Sequence, residues 1–551
     1  MKDTLSNRFI KWVDSAALFL EKDRLSLIGI FLYVILIAFA RDLSEYFLLD
    51  TEFVNGSQPW IFSISHHVSF FVLTFLGLVL IVKVFSGVGL RKCMNFTVWY
   101  YWIILLPPWI DHFLFGLEKN YAYFSWTDFI SAFFTLGGNE FHPGQGVEVI
   151  VIFFFLFSYV FWKHRDGIED ISGRSMLALR LGMMAAFTIL FMFILGTPGA
   201  YLPVGSEGGI PVFPNFDSTK FVQFHLFIFA YYLMASVVLV FVLTYIAFRD
   251  RFRREIRALR PFQTAFFAAI VVAGMALSWR DVDPSMVFSI LDRPYWVNLA
   301  YAIPTVVSAI LAWQTSVIWN DLSDVGSDSP LKDGRVLASG LLQPRVLREA
   351  SVVLAMVALS VSLLMSVMQF LIMLVILVMA YVYSFPPVRF KTALLSPMLI
   401  GLGTFLAFLY GAFAPFAEIG YIGGVPFLSG STLCPLLSGD VVLIGLFMFI
   451  GLVVGSMITD ADGYDEDKAG GVLTIYTRFG MDRGVAYASL LIFASSLTPL
   501  FLFNSLADVV VFPLLGAIAS LLFLRTRTSR GVMVVAMFGL VYAALRFLSI
   551  L

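Results

Sequence analysis

Long apolar stretches separated by short polar segments dominate the chain from end to end. A helix needs about 20 consecutive apolar residues to cross the hydrocarbon core of a bilayer. About fifteen stretches meet this requirement, and they lie near residues 25–42, 68–85, 96–116, 146–162, 177–197, 221–248, 263–281, 297–319, 350–365, 367–384, 396–417, 441–459, 485–504, 508–525 and 532–550. The pattern therefore predicts an all-α polytopic membrane protein with about 15 transmembrane helices.

The positions of lysine and arginine predict the orientation of these spans. Residues 249–260 contain six arginines, and positively charged loops favour the cytoplasmic side. Counting outward from this segment, other basic loops also fall inside, whereas the loops at 48–67, 198–218 and 418–440 contain no lysine or arginine and fall outside. We therefore expect a protein of the cell (plasma) membrane with a cytoplasmic amino terminus and an external carboxyl terminus.

Composition supports the membrane class and excludes several others. Hydrophobic residues make up 60% of the chain and charged residues only 13%, whereas soluble domains carry about 25% charged residues. The 36 basic and 37 acidic residues nearly cancel, which argues against a nucleic-acid-binding protein driven by bulk charge. Two cysteines, Cys93 and Cys434, are too few for a disulfide framework or a multi-cysteine zinc site.

The arginine-rich segment also predicts the domain organisation. Residues 249–261 are expected to be a basic cytoplasmic linker between a six-span membrane domain at 25–248 and a nine-span domain at 262–551. Residues 1–24 are expected to be cytoplasmic or interfacial, because their apolar positions fit an amphipathic helix on the inner leaflet. A frayed tail is the alternative for this segment.

A first acidic cluster follows the span at 297–319. Asp321, Asp324 and Asp328 are spaced i, i+3, i+7, which places three carboxylates on one face of a helix. Like charges this close together repel, and they are costly at a membrane boundary unless a cation offsets them. Mg²⁺ suits such a site because it prefers a few carboxylates together with phosphate oxygens.

A second acidic cluster follows the span at 441–459, and four spans separate it from the first. Both clusters should therefore open on the cytoplasmic side, where two Mg²⁺ ions could hold one diphosphate between them. The acidic residues of the second cluster are Asp460, Asp462, Asp465 and Asp467, and nearby basic residues that could bind free phosphate oxygens are Lys332, Arg335 and Lys468. The alternative for each cluster is a solvated acidic loop.

Residues 262–551 resemble the UbiA superfamily of intramembrane prenyltransferases. Asn320 to Asp328 matches that family's Asn-Asp-x-x-Asp-x-x-x-Asp motif at every defined position. Further matches are Gly334 to Gly340, the Tyr-Ser-x-Pro-Pro-x-Arg-x-Lys loop at 383–391, and the run from Asp467 to Gly480. The second motif departs from the family pattern because Gly463 stands where a middle aspartate is common, so which of the inner acids bind metal stays open.

The resemblance implies Mg²⁺-dependent transfer of an isoprenyl group from an isoprenyl diphosphate to a lipophilic acceptor. A quinone precursor, a tetrapyrrole and a glycerol-phosphate lipid all remain possible acceptors. The expected catalytic and metal-binding residues are Asp321, Asp324, Asp460 and Asp467, with Asp328, Asp462 and Asp465 as further metal ligands. The expected diphosphate-binding residues are Asn320, Lys332, Arg335, Tyr383, Arg389, Lys391 and Lys468.

No motif in the amino-terminal half points to a known family, and its histidines are its most informative feature. By the predicted topology, five of the six histidines gather near the outer face together with two acidic residues. This candidate second site consists of His66, His67, Asp111, His112, Glu140, His142 and His225. Such residues could bind zinc or another transition metal, handle protons, or satisfy structural contacts within the bundle.

Two alternatives to the prenyltransferase hypothesis remain at this point. One is a membrane transporter or an ion- or lipid-binding protein that uses the acidic clusters, although such proteins place carboxylates at the midplane of the membrane. In this chain the clusters lie at the ends of spans, which counts against that hypothesis. The other is a separate metalloenzyme in the amino-terminal half joined to a degenerate lipid-binding module, although the intact first motif argues against degeneration.

Overall fold

The computed structural model describes residues 11, 14–49, 60–117, 121, 129–131, 142–165, 171–196, 218–249, 252, 259–281, 295–324, 343–392, 394–414 and 439–548. Within these ranges the regular structure is helical throughout. The chain divides into two compact units, Met1–Arg253 with Pro294–Ile303 and Arg254–Arg293 with Pro304–Leu551. The predicted linker at 249–261 lies mostly outside the described residues, so its role stays a prediction.

Seven helices account for most of the described part of the amino-terminal unit. They are α1 (Leu27–Leu48), α2 (Trp60–Ser86), α3 (Leu90–Tyr101), α4 (Leu106–Phe115), α5 (Pro143–His164), α6 (Ile171–Gly196) and α7 (Ser218–Ala247). Buried residues of α2, α3 and α5 form much of its apolar core, including Ile81, Tyr101 and Leu156.

Nine long helices and two short ones form the described part of the carboxyl-terminal half. The long helices are α8 (Pro261–Asp281), α9 (Tyr295–Ser323), α10 (Pro344–Met365), α11 (Val367–Ser384), α12 (Ser396–Ala412), α13 (Gly439–Asp462), α16 (Met481–Leu497), α17 (Leu506–Thr526) and α18 (Ser529–Leu548). The short ones are α14 (Tyr464–Ala469) and α15 (Ile475–Phe479). The first nine residues of α9 are assigned to the amino-terminal unit.

The chain is an integral membrane protein, but the predicted number of spans is not confirmed. Among the described residues, 13 helices are long and apolar enough to cross a membrane, and α12 is a shorter apolar helix. The span predicted at 96–116 is interrupted, because α3 ends at Tyr101 and a 3₁₀ turn precedes α4. Pro107 and Pro108 explain the break, since proline lacks an N–H and fits only the first turn of a new helix.

Part of the amino-terminal segment is helical and held by ion pairs. Residues 14–21 form a helical stretch in which Asp14 lies 2.6 Å from Arg165. The buried carboxylate of Glu21 pairs with Lys163 and accepts a hydrogen bond of 2.9 Å from Tyr159. Burial acts to raise the pKa of Glu21, but the contacts with Lys163 and Tyr159 outweigh it and hold that pKa below its ordinary value.

Candidate functional site

The two acidic motifs lie where α9 and α13 end, and α11 ends beside them. Asp324 follows the last turn of α9, Asp460 lies in the last turn of α13, and Tyr383 lies in the last turn of α11. The loop after α11 joins the two motifs, because Lys391 pairs with Asp324 and Thr392 O accepts a hydrogen bond of 3.0 Å from Leu473 N, just after the second motif. The fold therefore brings the two motifs together at the end of α11, and we call this end of the unit the motif end.

Each described carboxylate of the first motif is paired with a cation from another element. Asp321 Oδ1 lies 2.7 Å from Arg260 Nη2, and the Asp321 side chain is only 6% exposed. Asp324 forms an ion pair with Lys391 and lies 3.5 Å from Arg389. Lys391 also donates to the hydroxyl of Ser323 at 2.5 Å. The basic loop after α11 and the start of α8 thus neutralise this motif.

Two of these cations occupy an unusual backbone conformation. Arg260 and Arg389 have φ values of 49° and 47°, in the left-handed region that residues with a Cβ rarely adopt. Around Arg260 the chain is fixed by Gln314, whose amide donates to Leu259 O at 3.0 Å and to Thr264 Oγ1 at 2.8 Å. Backbone strain of this kind persists where the surroundings enforce it, and it is common at functional sites.

The second motif folds back on itself through the short helix α14. Gly463 separates α13 from α14, and the backbone N–H of Asp467 donates to Gly463 O at 2.9 Å. This turn brings Asp467 near Asp460, since a Cβ added at Gly463 would lie 3.6 Å from Asp467 Oδ2 and 4.0 Å from Asp460 O. Lys468 lies 5.6 Å from the ring of Tyr464 on the same short helix. The pair Asp460 and Asp467 is therefore an acidic site of its own.

The remaining acids of the second motif have different surroundings. Both carboxylate oxygens of Asp462 accept hydrogen bonds from Ser529, one of them from the backbone N–H at 3.0 Å. Asp462 thus caps the start of α18, which is a structural contact. Asp465 lies on an exposed side of α14. Asp328, Lys332 and Arg335 lie outside the described residues, so their predicted roles stay predictions.

An apolar cavity of about 1080 Å³ opens from the motif end into the helical unit. Its polar end includes Asn320, Tyr383 and Thr459, the residue before Asp460. The wall formed by α8 and α9 is rich in aromatic side chains, and Phe267 stacks on Trp313 with ring centroids 4.0 Å apart. The wall formed by α13, α17 and α18 contains many small residues, among them Gly451 and Gly455.

Within the described ranges, no three histidine, cysteine, aspartate or glutamate side chains form a ready metal-binding group. Mg²⁺ does not require one, because it is commonly held by one or two carboxylates together with phosphate oxygens of the substrate. The donor chemistry of the aspartates fits this ion. Asp321 and Asp324 in the first motif and Asp460 and Asp467 in the second all supply hard oxygen ligands at the motif end.

Comparison with known families agrees with this geometry. Residues 271–539 match the family model described as the UbiA prenyltransferase family. This part of the chain is similar to that family. No curated protein matches the chain.

Several solved structures are similar to about half of this chain at low identity. A digeranylgeranylglyceryl phosphate synthase is 16% identical, with 54% of this chain and 96% of that chain covered and a TM-score of 0.38. A UbiA homologue from Archaeoglobus fulgidus bound to DMAPP and Mg²⁺ is 18% identical, covering 54% and 99% of the two chains with a TM-score of 0.35. The same homologue bound to GPP and Mg²⁺ is 17% identical, with the same coverage and TM-score.

The candidate site at the motif end includes residues that the sequence pattern did not reveal. Arg260 was counted only as an orienting charge of the linker, yet it pairs with Asp321 and lines the cavity. Phe267 and Trp313 belong to apolar spans and carried no signal beyond helix packing. Their shared place on one wall follows from how α8 packs against α9, which no local pattern encodes.

Four of the five histidines of the candidate second site fall into two separate groups. In the first, His67 Nδ1 lies 2.5 Å from Asp42 Oδ1, and His66 Nδ1 lies 2.9 Å from His225 Nδ1. The rings of His66 and His67 are 4.0 Å apart. These contacts connect α1, α2 and α7, and no local sequence pattern indicates that Asp42 joins them.

The second group surrounds Asp111. One oxygen of this buried carboxylate accepts a hydrogen bond of 2.7 Å from the backbone N–H of Gly144 at the start of α5. The other accepts one of 2.5 Å from Tyr121, and His142 lies 3.7 Å away. Asp111 therefore caps the amino end of α5. His112 instead contacts the ring of Phe113 edge-on, and Glu140 lies outside the described residues.

Proposed function

We propose that the carboxyl-terminal unit transfers an isoprenyl group from an isoprenyl diphosphate to a lipophilic acceptor in a Mg²⁺-dependent reaction. The observation that supports this most strongly is that the loop after α11 contacts both acidic motifs at the polar end of an apolar cavity. A diphosphate needs concentrated positive charge at one end of the site, and an isoprenyl chain needs an apolar volume directly behind it.

Four aspartates are the proposed ligands of Mg²⁺, namely Asp321, Asp324, Asp460 and Asp467. Bound Mg²⁺ would stabilise the negative charge that develops on the leaving diphosphate. Asp328 and Asp465 remain candidates for the same ions, whereas we assign Asp462 to the cap of α18. Both motifs lie at helix ends, as a site for a charged headgroup requires, and not at mid-helix as in an ion-transport pathway.

The protein's own cations have a second role in this proposal. Arg260, Arg389 and Lys391 neutralise the first motif, and we propose that they move to diphosphate oxygens when the substrate binds. We also propose Asn320, Lys468, Lys332 and Arg335 as donors to the same group. Donors held against the diphosphate in this way would stabilise the negative charge that develops on it in the transition state.

The apolar walls of the cavity would surround the isoprenyl chain of the donor. Breaking the allylic C–O bond leaves a carbocation that water would capture, so the cavity must exclude water while the acceptor approaches. Tyr383 lies at the border between the polar and apolar regions, and its hydroxyl accepts a hydrogen bond of 3.2 Å from Ser396. We place this site on the cytoplasmic side of the cell membrane, with lipid around the helices.

The decisive experiment uses the purified full chain in detergent or nanodiscs. Labelled geranylgeranyl diphosphate is supplied with quinone precursors, glycerol-phosphate lipids or a tetrapyrrole, and a prenylated product should form only when Mg²⁺ is present. Asp324→Asn should abolish product formation. Asp482→Asn is the matched control, because Asp482 is an 83% exposed aspartate paired with Arg527. The absence of a Mg²⁺-dependent product with every acceptor would refute the proposal.

For the amino-terminal unit we propose a structural role for both histidine groups. Their described contacts join α1 to α2, α2 to α7, and α4 to α5, and polar contacts between helices stabilise membrane bundles. Metal analysis of the purified full chain tests this assignment, and a stoichiometric transition metal that is lost on His66→Ala would contradict it.

A further inference from the structure

One buried tyrosine ties the segment after the second motif to α13. Tyr476, the second residue of α15, is fully buried, and its hydroxyl donates a hydrogen bond of 2.9 Å to Met457 O. Met457 lies on α13 three residues before Asp460, which is less than one helical turn. Tyr476 therefore holds α15 against the part of α13 that leads into the second motif.

Packing leaves the Tyr476 ring little room to move. The ring belongs to an apolar core with the buried residues Ile458 of α13, Val485 of α16 and Phe523 of α17. A Cβ added at Gly484 would lie 2.6 Å from Tyr476 Cδ1 and 3.0 Å from Tyr476 Cα, so only glycine allows α16 to begin this close to α15. Both the ring and the backbone of Tyr476 are thus fixed.

A continuous line of hydrogen bonds leads from α15 back to Asp467. Thr477, the residue after Tyr476, donates through Oγ1 to Val472 O at 2.8 Å. The backbone N–H of Val472 in turn donates to Asp467 O at 2.9 Å. The position of Asp467 therefore depends on the position of α15, which the contacts of Tyr476 determine.

The other acid of the pair, Asp460, is fixed by a different contact. Asp462, the last residue of α13, accepts hydrogen bonds from the hydroxyl and from the backbone N–H of Ser529, the latter at 3.0 Å. Ser529 is buried at the start of α18. Because Asp460 lies two residues before Asp462, this contact holds the end of α13 without the help of Tyr476. Loosening α15 should therefore displace Asp467 and leave Asp460 in place.

Holding two carboxylates near each other favours the binding of a cation between them. Asp460 and Asp467 carry like charges, which repel each other when no cation is present. If the pair separated in the free protein, part of the binding free energy of Mg²⁺ would be needed to bring it together again. Contacts that keep metal ligands in position before the ion arrives therefore raise the affinity for the metal.

We propose that Tyr476 is a positioning residue for the second motif, and that its hydroxyl keeps Asp467 beside Asp460 so that both carboxylates bind Mg²⁺ together with the diphosphate. The inference rests on the proposed function and deepens it, because it names a residue outside the site that sets the affinity of the site for metal. Tyr476 is not among the described residues that line the cavity, so it acts through Asp467 and not by touching the donor.

The test uses Tyr476→Phe in the purified full chain, because this change removes one hydroxyl and keeps the ring. Two quantities are measured against Mg²⁺ concentration: the rate of transfer from geranylgeranyl diphosphate well below the melting temperature, and the rise in melting temperature with inorganic pyrophosphate and no acceptor. The Mg²⁺ concentration for half of the maximal effect should rise about tenfold in both. The rate at saturating Mg²⁺ should stay close to that of the wild type, since all metal ligands are still present.

Tyr232→Phe is the matched control. Tyr232 is a fully buried tyrosine of the amino-terminal unit, and its hydroxyl also donates to a backbone carbonyl, Leu195 O, at 3.0 Å. The two variants lose the same kind of hydrogen bond, so both should lower the melting temperature of the ligand-free protein. Only Tyr476→Phe should change the Mg²⁺ requirement.

The outcomes separate this inference from the proposed function. An unchanged Mg²⁺ requirement in Tyr476→Phe, an equal change in Tyr232→Phe, or a lost rate that saturating Mg²⁺ does not restore would each overturn the positioning role. If the wild type transfers no isoprenyl group but Mg²⁺ with pyrophosphate stabilises it, and Tyr476→Phe needs more Mg²⁺, the proposed function fails and the positioning role stands. The absence of both transfer and stabilisation in the wild type would overturn both.

Discussion

The two units of this protein both bury charged side chains among apolar helices, but they give those charges different partners. In the amino-terminal unit, Asp42 contacts His67, and Asp111 accepts a hydrogen bond from the backbone at the amino end of α5. These partners belong to neighbouring helices of the same bundle. In the carboxyl-terminal unit, the motif aspartates are next in sequence to residues that line a cavity of about 1080 Å³, and the long side chains of Arg260 and Lys391 pair with two of them.

This difference teaches where to look for function in a membrane bundle. A buried charge is costly unless it is paired, so every such residue must have a partner. When the partner is a fixed part of the same bundle, the pair stabilises the fold. When the partner is a long, flexible cation at the mouth of a cavity, a ligand can take its place, and the acidic group is then available for chemistry.

The largest effect should follow from removing a charge of the second motif. Asp460→Asn takes away a carboxylate in the last turn of α13, and transfer should fall by about 10²–10³ because preorganised charge stabilisation is lost. Initial rates with saturating Mg²⁺ and donor measure this. Activity within a few-fold of the wild type would mean that Asp460 belongs with the structural carboxylates of the amino-terminal unit.

Filling the cavity should have the next largest effect. Gly455 lines the cavity one turn from Thr459, and a Cβ there meets nothing within 4 Å. Gly455→Leu should lower the transfer rate about tenfold or more while leaving the melting temperature close to that of the wild type. Gly182→Leu is the control, since Gly182 also has open space around its Cβ position but lies on α6 of the amino-terminal unit.

Breaking a polar pair of the amino-terminal unit should lower the stability of the fold and leave the transfer activity unchanged. Asp42→Ala leaves His67 without its carboxylate, and the unfolding free energy should fall by about 1–3 kcal/mol. Thermal unfolding in detergent measures this, with Asp23→Ala as the control because Asp23 is 64% exposed in its pair with Arg91. A loss of transfer activity below the melting temperature would contradict the structural assignment of this histidine group.

The smallest effect should appear at acidic pH. The lowered pKa of Glu21 means that its carboxylate stabilises the fold fully above the ordinary value of 4.5 and loses this contribution as pH falls through the lowered value. The melting temperature of the wild type should therefore drop more steeply below about pH 5 than that of Glu21→Gln. Parallel curves for the two proteins would show that Glu21 does not act through its charge.

Sequence patterns predicted the class of the protein because hydropathy is a local property. A run of apolar residues must be a helix in lipid wherever it packs, so the helices of the carboxyl-terminal half lie close to their predicted positions. The count was less secure, since a length criterion does not distinguish a short helix such as Ser396–Ala412 from a full span. The motif residues were also predictable, because their spacing on a helix end is local.

What the sequence by itself determined is therefore a polytopic helical membrane protein with two acidic motifs at helix ends. Only the tertiary structure decided that Lys391 pairs with Asp324, that Arg260 pairs with Asp321, and that Asp462 caps α18. The hydrogen bonds of Tyr410 with Ser308 and Ser362 are also of this kind. These contacts join residues far apart in the chain, and which helix faces meet depends on the packing of the whole unit and not on any single stretch of sequence.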